Sequence, residues 1–385
     1  MYLTIGLSCH GFHPAAWRVS SAFSPFDIGL LGNLVQKADR AGFDIACIGS
    51  STGGATLFLS GLSDAYEVDA LPVSGALAAT THRIGLGALV PLSQTHPFHT
   101  ARAFSVLDHL SGGRAAWTIP PIYEDEGADA PAPGLPVLTP DQWYERAAEY
   151  IEVVKKLWDS WEDDSVRADK RSGIFADSGK VHPIDHVGEY FSVQGPLTAV
   201  RPLQGHPLII QSDQSDRGLK LAAETADVFV ATCSNPAEAI QVRDKLVSLL
   251  DANKRPRDEL RFLVSIFAVL GDMEDEALRL SQRLDELSAG GLQAVRGEMH
   301  GISTSRWGFP FAGTAPQLYD AMEQWAAAGI CHGFNIMPAV LPNGIDSLFE
   351  VIRRKRRGVQ STILRGRFDL DRPPGAFRAR ASARA

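Results

Sequence analysis

RIGLGALVPLSQTHPFHTARAFSVLDHLSGGRAAWTI, residues 83–119, is the stretch on which the fold turns. It opens on a nearly continuous apolar run at 83–90, passes a polar corner, and continues as a helix-like segment at 96–110 with Pro97 near its start. Ser111-Gly112-Gly113 then stops the helix, because glycine accepts the left-handed conformation that ends one, and a second apolar run follows at 114–119. Strand, helix and strand in that order imply a parallel pair joined by a crossover. Strands without polar alternation are those buried on both faces.

The same unit repeats in both directions from this stretch. Strand-like runs fall at 2–9, 43–49, 207–212, 227–232, 261–270 and 331–337, and helical segments at 27–41, 68–80, 140–161, 215–225, 236–253, 273–289, 314–328 and 345–357. Asp27 is placed to cap the first helix and Gly42 to stop it. Three stretches break the rhythm: a Pro-, Gly- and acid-rich loop at 120–138, a charged and weakly periodic excursion at 162–204, and a second irregular excursion at 290–313. Eight strands with intervening helices favour a closed (β/α)8 TIM barrel over an open doubly wound sheet, and no GxGxxG follows the first strand to suggest a dinucleotide fold. One domain over 1–363 is expected, with an Arg-, Pro- and Ala-rich tail at 364–385 read as an arm or a disordered segment.

Composition narrows the class. A net charge of −8 offers no footprint for nucleic acid or an anionic membrane. No apolar run is long enough to span a bilayer, and the start of the chain lacks the pattern of a secretory leader, so a cytoplasmic protein is expected. Cys9, Cys47, Cys233 and Cys331 are scattered at the ends of apolar runs and read as small buried thiols, not as disulfides or metal ligands. His182, Asp185 and His186 have a metal-like spacing without an evident fourth ligand, so no metal is expected. In a barrel the chemistry sits at the carboxyl ends of the strands, which nominates residues 8–13, 50–54, 91–96, 118–123, 211–215, 232–235 and Met337.

Several strings resemble one branch of the bacterial-luciferase-like flavin monooxygenases, that of the nitrilotriacetate, pristinamycin and dibenzothiophene-sulfone enzymes. They are His13-Pro14-Ala15-Ala16-Trp17-Arg18, the whole of 83–117, LWDSWEDD at 157–164, VHPIDHVGEYFSVQGPL at 181–197, QGHPLIIQS at 204–212 and GFNIMP at 333–338. The resemblance implies a TIM barrel and a two-component monooxygenase. In that chemistry reduced FMN, supplied by a separate NAD(P)H flavin reductase, meets O2 and oxygenates a small organic substrate. It also implies a homodimer.

Carried over residue by residue, the resemblance places Ser50, Ser93, Tyr144, Gln211, Asp213 and Ser215 at flavin-contacting positions, and Pro140 where the family has a histidine. Gln211-Ser212-Asp213-Gln214-Ser215 stands at the phosphate loop. A carboxylate there either repels a dianion or caps the helix that begins near Ser215. His13, at the end of the first strand, and Thr118, on the fourth, are the candidate catalytic residues. For His13 the alternative is a ring held by structural hydrogen bonds. Trp17, Trp117 and Trp158 read as core packing, and Asp108, Arg102 and Arg114 as ion pairs of helix and loop. Two rival functions accompany the oxygenase: a barrel that has lost flavin and serves as a non-catalytic partner subunit, and flavin-independent chemistry on the same scaffold.

Overall fold

Helix boundaries follow local chemistry in the computed structural model, which describes residues 1–22, 24, 27–49, 68–93, 95–121, 138–292, 308–356 and 361–377. Helix α1 (Ile28–Ala41) starts on Asp27, whose carboxylate accepts from the Leu30 amide, and ends on Gly42 at φ 92°. Asp69 opens α2 (Ala70–Ala78), His96 opens α3 (Pro97–Ser111), and a Thr139/Gln142 capping box opens α4 (Pro140–Trp158). Ser215 opens α5 (Asp216–Thr225) and Asn235 opens α6 (Pro236–Ala252). Helices α7 (Glu274–Leu292), α8 (Ala315–Ala327), α9 (Ile345–Lys355) and the single turn α10 (Leu364–Arg367) follow.

Strands β1 (Tyr2–Leu7), β2 (Ile45–Ile48), β3 (Gly85–Leu89) and β4 (Ala115–Ile119) come first. The excursion at 162–204 holds two short hairpins, β5 (Val166–Asp169) with β6 (Ile174–Ala176), and β7 (His186–Val187) with β8 (Ser192–Val193). Then come β9 (Leu208–Gln211), β10 (Val228–Ala231), β11 (Arg261–Leu270), β12 (Phe309–Gly313) and β13 (Gly333–Pro338). All pairings of the main sheet are parallel. Around the ring the order is β1-β2-β3-β4-β9-β10-β11-β13 and back to β1, a closed eight-stranded barrel.

One element departs from the sequence reading. The irregular stretch 290–313 contains β12, which lies outside the ring. It forms because β11 is ten residues long beside a four-residue β10. Beyond the residues that β10 covers, 261–264, the same edge of β11 is taken by β12 at 266–270. Phe-Pro-Phe-Ala-Gly carries little strand signal of its own, so the unpaired edge, not local propensity, decides it.

Ile45, Ala116, Leu208, Ile210, Val228, Val230 and Leu263 come from strands around the ring yet form one cluster, which is possible only along the barrel axis. The tail joins them. Leu364 and Phe368 are fully buried in this cluster with Leu370, and Phe368 stacks on Tyr2 at 4.6 Å. Arg261 donates to the carbonyls of Phe368 (2.7 Å) and Asp369 (2.8 Å), and Arg365 pairs with Asp227 at 2.6 Å. The described part of the tail, to residue 377, is therefore an arm that plugs the amino-terminal end of the barrel.

Between barrel and helices, Trp117 and Trp158 are fully buried, their indole N–H groups on the carbonyls of Val90 and Ala101. Trp17 corrects the reading of all three tryptophans as core, since it is 54% exposed on a single turn of 3-10 helix. Arg114 and Asp108 are a second correction, because neither holds an ion pair among the described residues. Arg114 donates to the carbonyls of Ala78, Thr81, Ile84 and Ser111, and Asp108 accepts from Gln204 and the Ala115 amide. Both residues satisfy buried backbone that the α2–β3 and α3–β4 corners leave open.

Candidate active site

Along β1 and β13 the axis becomes polar above the plug: the Thr4 hydroxyl donates to the Asn335 side-chain oxygen at 2.8 Å. One step further up, Gly6 leaves room for Phe12 and Met337. A Cβ at Gly6 would lie 2.9 Å from the Phe12 ring and 2.7 Å from the Met337 sulfur. On the facing wall Thr118 shares its strand parity with the axis-lining Ala116, and its hydroxyl lies 3.4 Å from where a Cβ of Gly87 would stand. That hydroxyl is buried and has no hydrogen-bond partner among the described residues, and the same holds for Ser93 beyond the end of β3.

A second constellation joins α4 to the turn after β9. Tyr144 donates to Asp213 Oδ2 at 2.5 Å, its oxygen lies 2.9 Å from Ser215 Oγ, and the Ser215 amide donates to Asp213 Oδ1 at 3.0 Å. Ser215 Oγ also accepts from the Gly218 amide at 3.0 Å, which is its cap to α5. Gln214 accepts from the Thr232 amide. Of the residues nominated for cofactor contact, the fold thus unites Tyr144, Asp213 and Ser215.

Gln211 is set apart from these three. Gln211 points off the axis, being of opposite parity to Ile210, and its amide donates to Thr225 Oγ1 at 2.6 Å in the layer under α5. Its side chain is therefore held apart from Tyr144, Asp213 and Ser215 by the Thr225 contact. Ser50 lies outside the described residues. His13 accepts the Ala15 amide on Nδ1 at 3.1 Å, packs near Phe267, and turns Nε2 toward Asp285 of α7 at 3.7 Å. Burial holds its pKa below the ordinary value, with Asp285 opposing. Both ring nitrogens thus serve the turn after β1 and its contact with α7, which is the structural alternative to a catalytic role.

Arg146 was not nominated by the sequence. Its guanidinium donates to the Leu92 carbonyl at 3.1 Å and lies 4.9 Å over the Phe191 ring, bracing the loop after β3 against the excursion. The Leu92 carbonyl and the Phe191 ring are far away in sequence, so spacing holds no signal for those two contacts. The same loop is tied by hydroxyls, with Tyr150 within 2.8 Å of Thr95 and 2.6 Å of Thr100.

A flavin places two demands on such a mouth. Its ring system carries carbonyl and N–H edges that pair with hydroxyls, and the unpartnered hydroxyls of Thr118 and Ser93 fit that end. Its phosphate, if present, needs free donors at a helix N-terminus. Here the Tyr144 hydroxyl and the Ser215 amide already serve Asp213, whose carboxylate fills the space against Gly218, so the residues do not fit a phosphate.

Comparison with known proteins agrees with the architecture. The luciferase-like monooxygenase family pattern matches residues 5–330. N-acetyl-S-(2-succino)cysteine monooxygenase of Bacillus subtilis (strain 168) is 31% identical, with 97% of this chain and 98% of that protein aligned. Dimethyl-sulfide monooxygenase of Hyphomicrobium sulfonivorans is 28% identical over 94% of this chain and 85% of its own length. Among solved structures, EDTA monooxygenase from Chelativorans sp. BNC1 superposes with a TM-score of 0.80 at 24% identity, covering 97% of this chain and 99% of that one. No helix among the described residues is long and apolar enough to cross a membrane.

Proposed function

The chain belongs to the luciferase-like monooxygenase family, and from that premise we propose an oxidoreductase that uses reduced flavin and O2 to oxygenate a small organic substrate, with a separate NAD(P)H flavin reductase as its partner. The residue-level observation that supports the reading is the Thr118 hydroxyl, buried on the axis at the carboxyl end of β4 without a partner. Leaving such a group unpaired costs on the order of 1–3 kcal/mol, which a ligand edge that completes it would recover.

When bound, reduced flavin supplies the electrons and the oxygen-activating chemistry, which agrees with a mouth that holds no nucleophile–base pair among the described residues. The chain's own groups bind and shield. Thr118 and Ser93 would hold the ring edges. Phe12 and Met337 pack over Gly6 and keep water from that wall. The Thr4–Asn335 pair closes the axis below. His13 fixes the turn that carries Phe12. We read residues 1–363 as one domain and the assembly as a homodimer, to be checked by sedimentation.

The test is an anaerobic titration of the purified chain with reduced flavin, followed by flavin fluorescence, then oxygen uptake with a flavin reductase and NADH. The substrate panel starts from the relatives' sulfur compounds, N-acetyl-S-(2-succino)cysteine and dimethyl sulfide. Saturable flavin binding and substrate-dependent product uphold the proposal. An intact fold that binds no flavin overturns it and favours the second reading, a partner subunit without flavin, to which the occupied cradle at Asp213 also speaks.

A further inference from the structure

We propose that Asp213 is an internal substitute for the cofactor's phosphate, so that this barrel takes a flavin whose ribityl tail ends in a hydroxyl in preference to one that ends in a phosphate. The inference rests on the flavin reading above and concerns only the far end of that ligand.

Hydrogen bookkeeping carries it. Tyr144 has one hydroxyl hydrogen, and it goes to Asp213 Oδ2 at 2.5 Å. Ser215 Oγ accepts from the Gly218 amide at 3.0 Å, which leaves its own hydrogen for the Tyr144 oxygen at 2.9 Å. The Ser215 amide goes to Asp213 Oδ1 at 3.0 Å. The Ser215 amide and the hydroxyls of Tyr144 and Ser215, three donors at the start of α5, therefore end on this carboxylate, directly or through the tyrosine.

The carboxylate also occupies the space. A Cβ at Gly218 would lie 2.3 Å from Asp213 Cγ, so the group rests against the first turn of α5, and only glycine at 218 permits that approach. Nearby cations are engaged: Arg217 with Asp141 at 2.5 Å, and Lys245 with Asp216. Among these described groups, Asp141, Asp213 and Asp216 against Arg217 and Lys245 carry no net positive charge to recruit a dianion. A terminal hydroxyl, by contrast, can donate to Asp213, so the carboxylate that repels one tail is complementary to the other.

The experiment compares riboflavin and FMN, each oxidised and reduced, by fluorescence titration of the full chain and of Asp213→Asn and Asp213→Gly, with circular dichroism to verify the fold of each variant. In the native chain riboflavin should bind at least as tightly as FMN. In both variants the ratio of the two dissociation constants should move toward FMN by ~10-fold or more, because the like charge is gone and the donors are released. FMN binding ~10-fold tighter than riboflavin in the native chain overturns the inference. So does a ratio that neither substitution moves. If no form binds either flavin, the flavin reading falls and this inference with it. Should both variants fail to fold, the native ratio alone decides.

Discussion

Phe368→Ala tests whether the tail is a structural plug. The ring is fully buried among Ile45, Ala116, Leu208 and their neighbours on the barrel axis, and it stacks on Tyr2 at 4.6 Å with 10° between the planes. Truncating a buried phenylalanine to alanine costs ~3–5 kcal/mol, and the stacked pair supplies ~0.5–1.5 kcal/mol of favourable contact within such a loss. The Arg261 bond to the Phe368 carbonyl is backbone-directed and survives the substitution, so the expected loss stays near ~4 kcal/mol. With an unfolding entropy of about 2.1 cal/mol/K per residue, a chain of 385 residues loses roughly 5 °C in Tm for that amount. Differential scanning calorimetry of native, Phe368→Ala and Phe368→Leu chains measures it, with the leucine variant falling between the other two. Flavin affinity should be unchanged, because the plug sits at the opposite end of the barrel from the carboxyl ends of the strands. An alanine variant within about 1 °C of native would refute the reasoning, since a cavity on the axis of a closed barrel cannot be that cheap.

Thr118→Val keeps the side chain's shape and removes the unpartnered hydroxyl. Stability should hold or rise by ~1 kcal/mol while the flavin dissociation constant rises ~10-fold, and an unchanged constant would count against the ring contact. Asp39 accepts from the amides of His82, Arg83 and Ile84 at 2.9, 3.1 and 2.8 Å, so Asp39→Ala strands three donors ahead of β3. We expect a loss of at least ~2 kcal/mol in urea unfolding. Lys155 is brought down to about 8, first by burial, with the cations Arg255 and Arg365 adding to the effect and Asp227 opposing it. Its unfolded value is ~10.4, so between these limits the unfolded chain binds more protons and the lysine's penalty fades as pH rises. The native chain should gain stability relative to Lys155→Met from pH ~8 to ~10, and parallel pH curves for the two would contradict this.

What the sequence determined by itself was the local part of the molecule. The eight barrel strands were legible because each is a short apolar run. Helix ends were legible because Asp27, Gly42 and Ser215 act within one turn of themselves. Resemblance added the family, carried by strings such as 83–117. Direction and long-range partnership were set when the elements packed. β12 exists because β11 outruns β10. The tail is a plug because the axis at Ile45 and Val228 has space that Leu364, Phe368 and Leu370 fill. Gln211 meets Thr225 because strand parity turns its side chain to the outer layer, a one-residue distinction that residue type does not carry. The role of Asp213 depended on Tyr144, 69 residues away in sequence, arriving on α4 to donate to it. A carboxylate's neighbours set whether it repels, caps or substitutes for a ligand, and those neighbours are assembled only when the barrel closes.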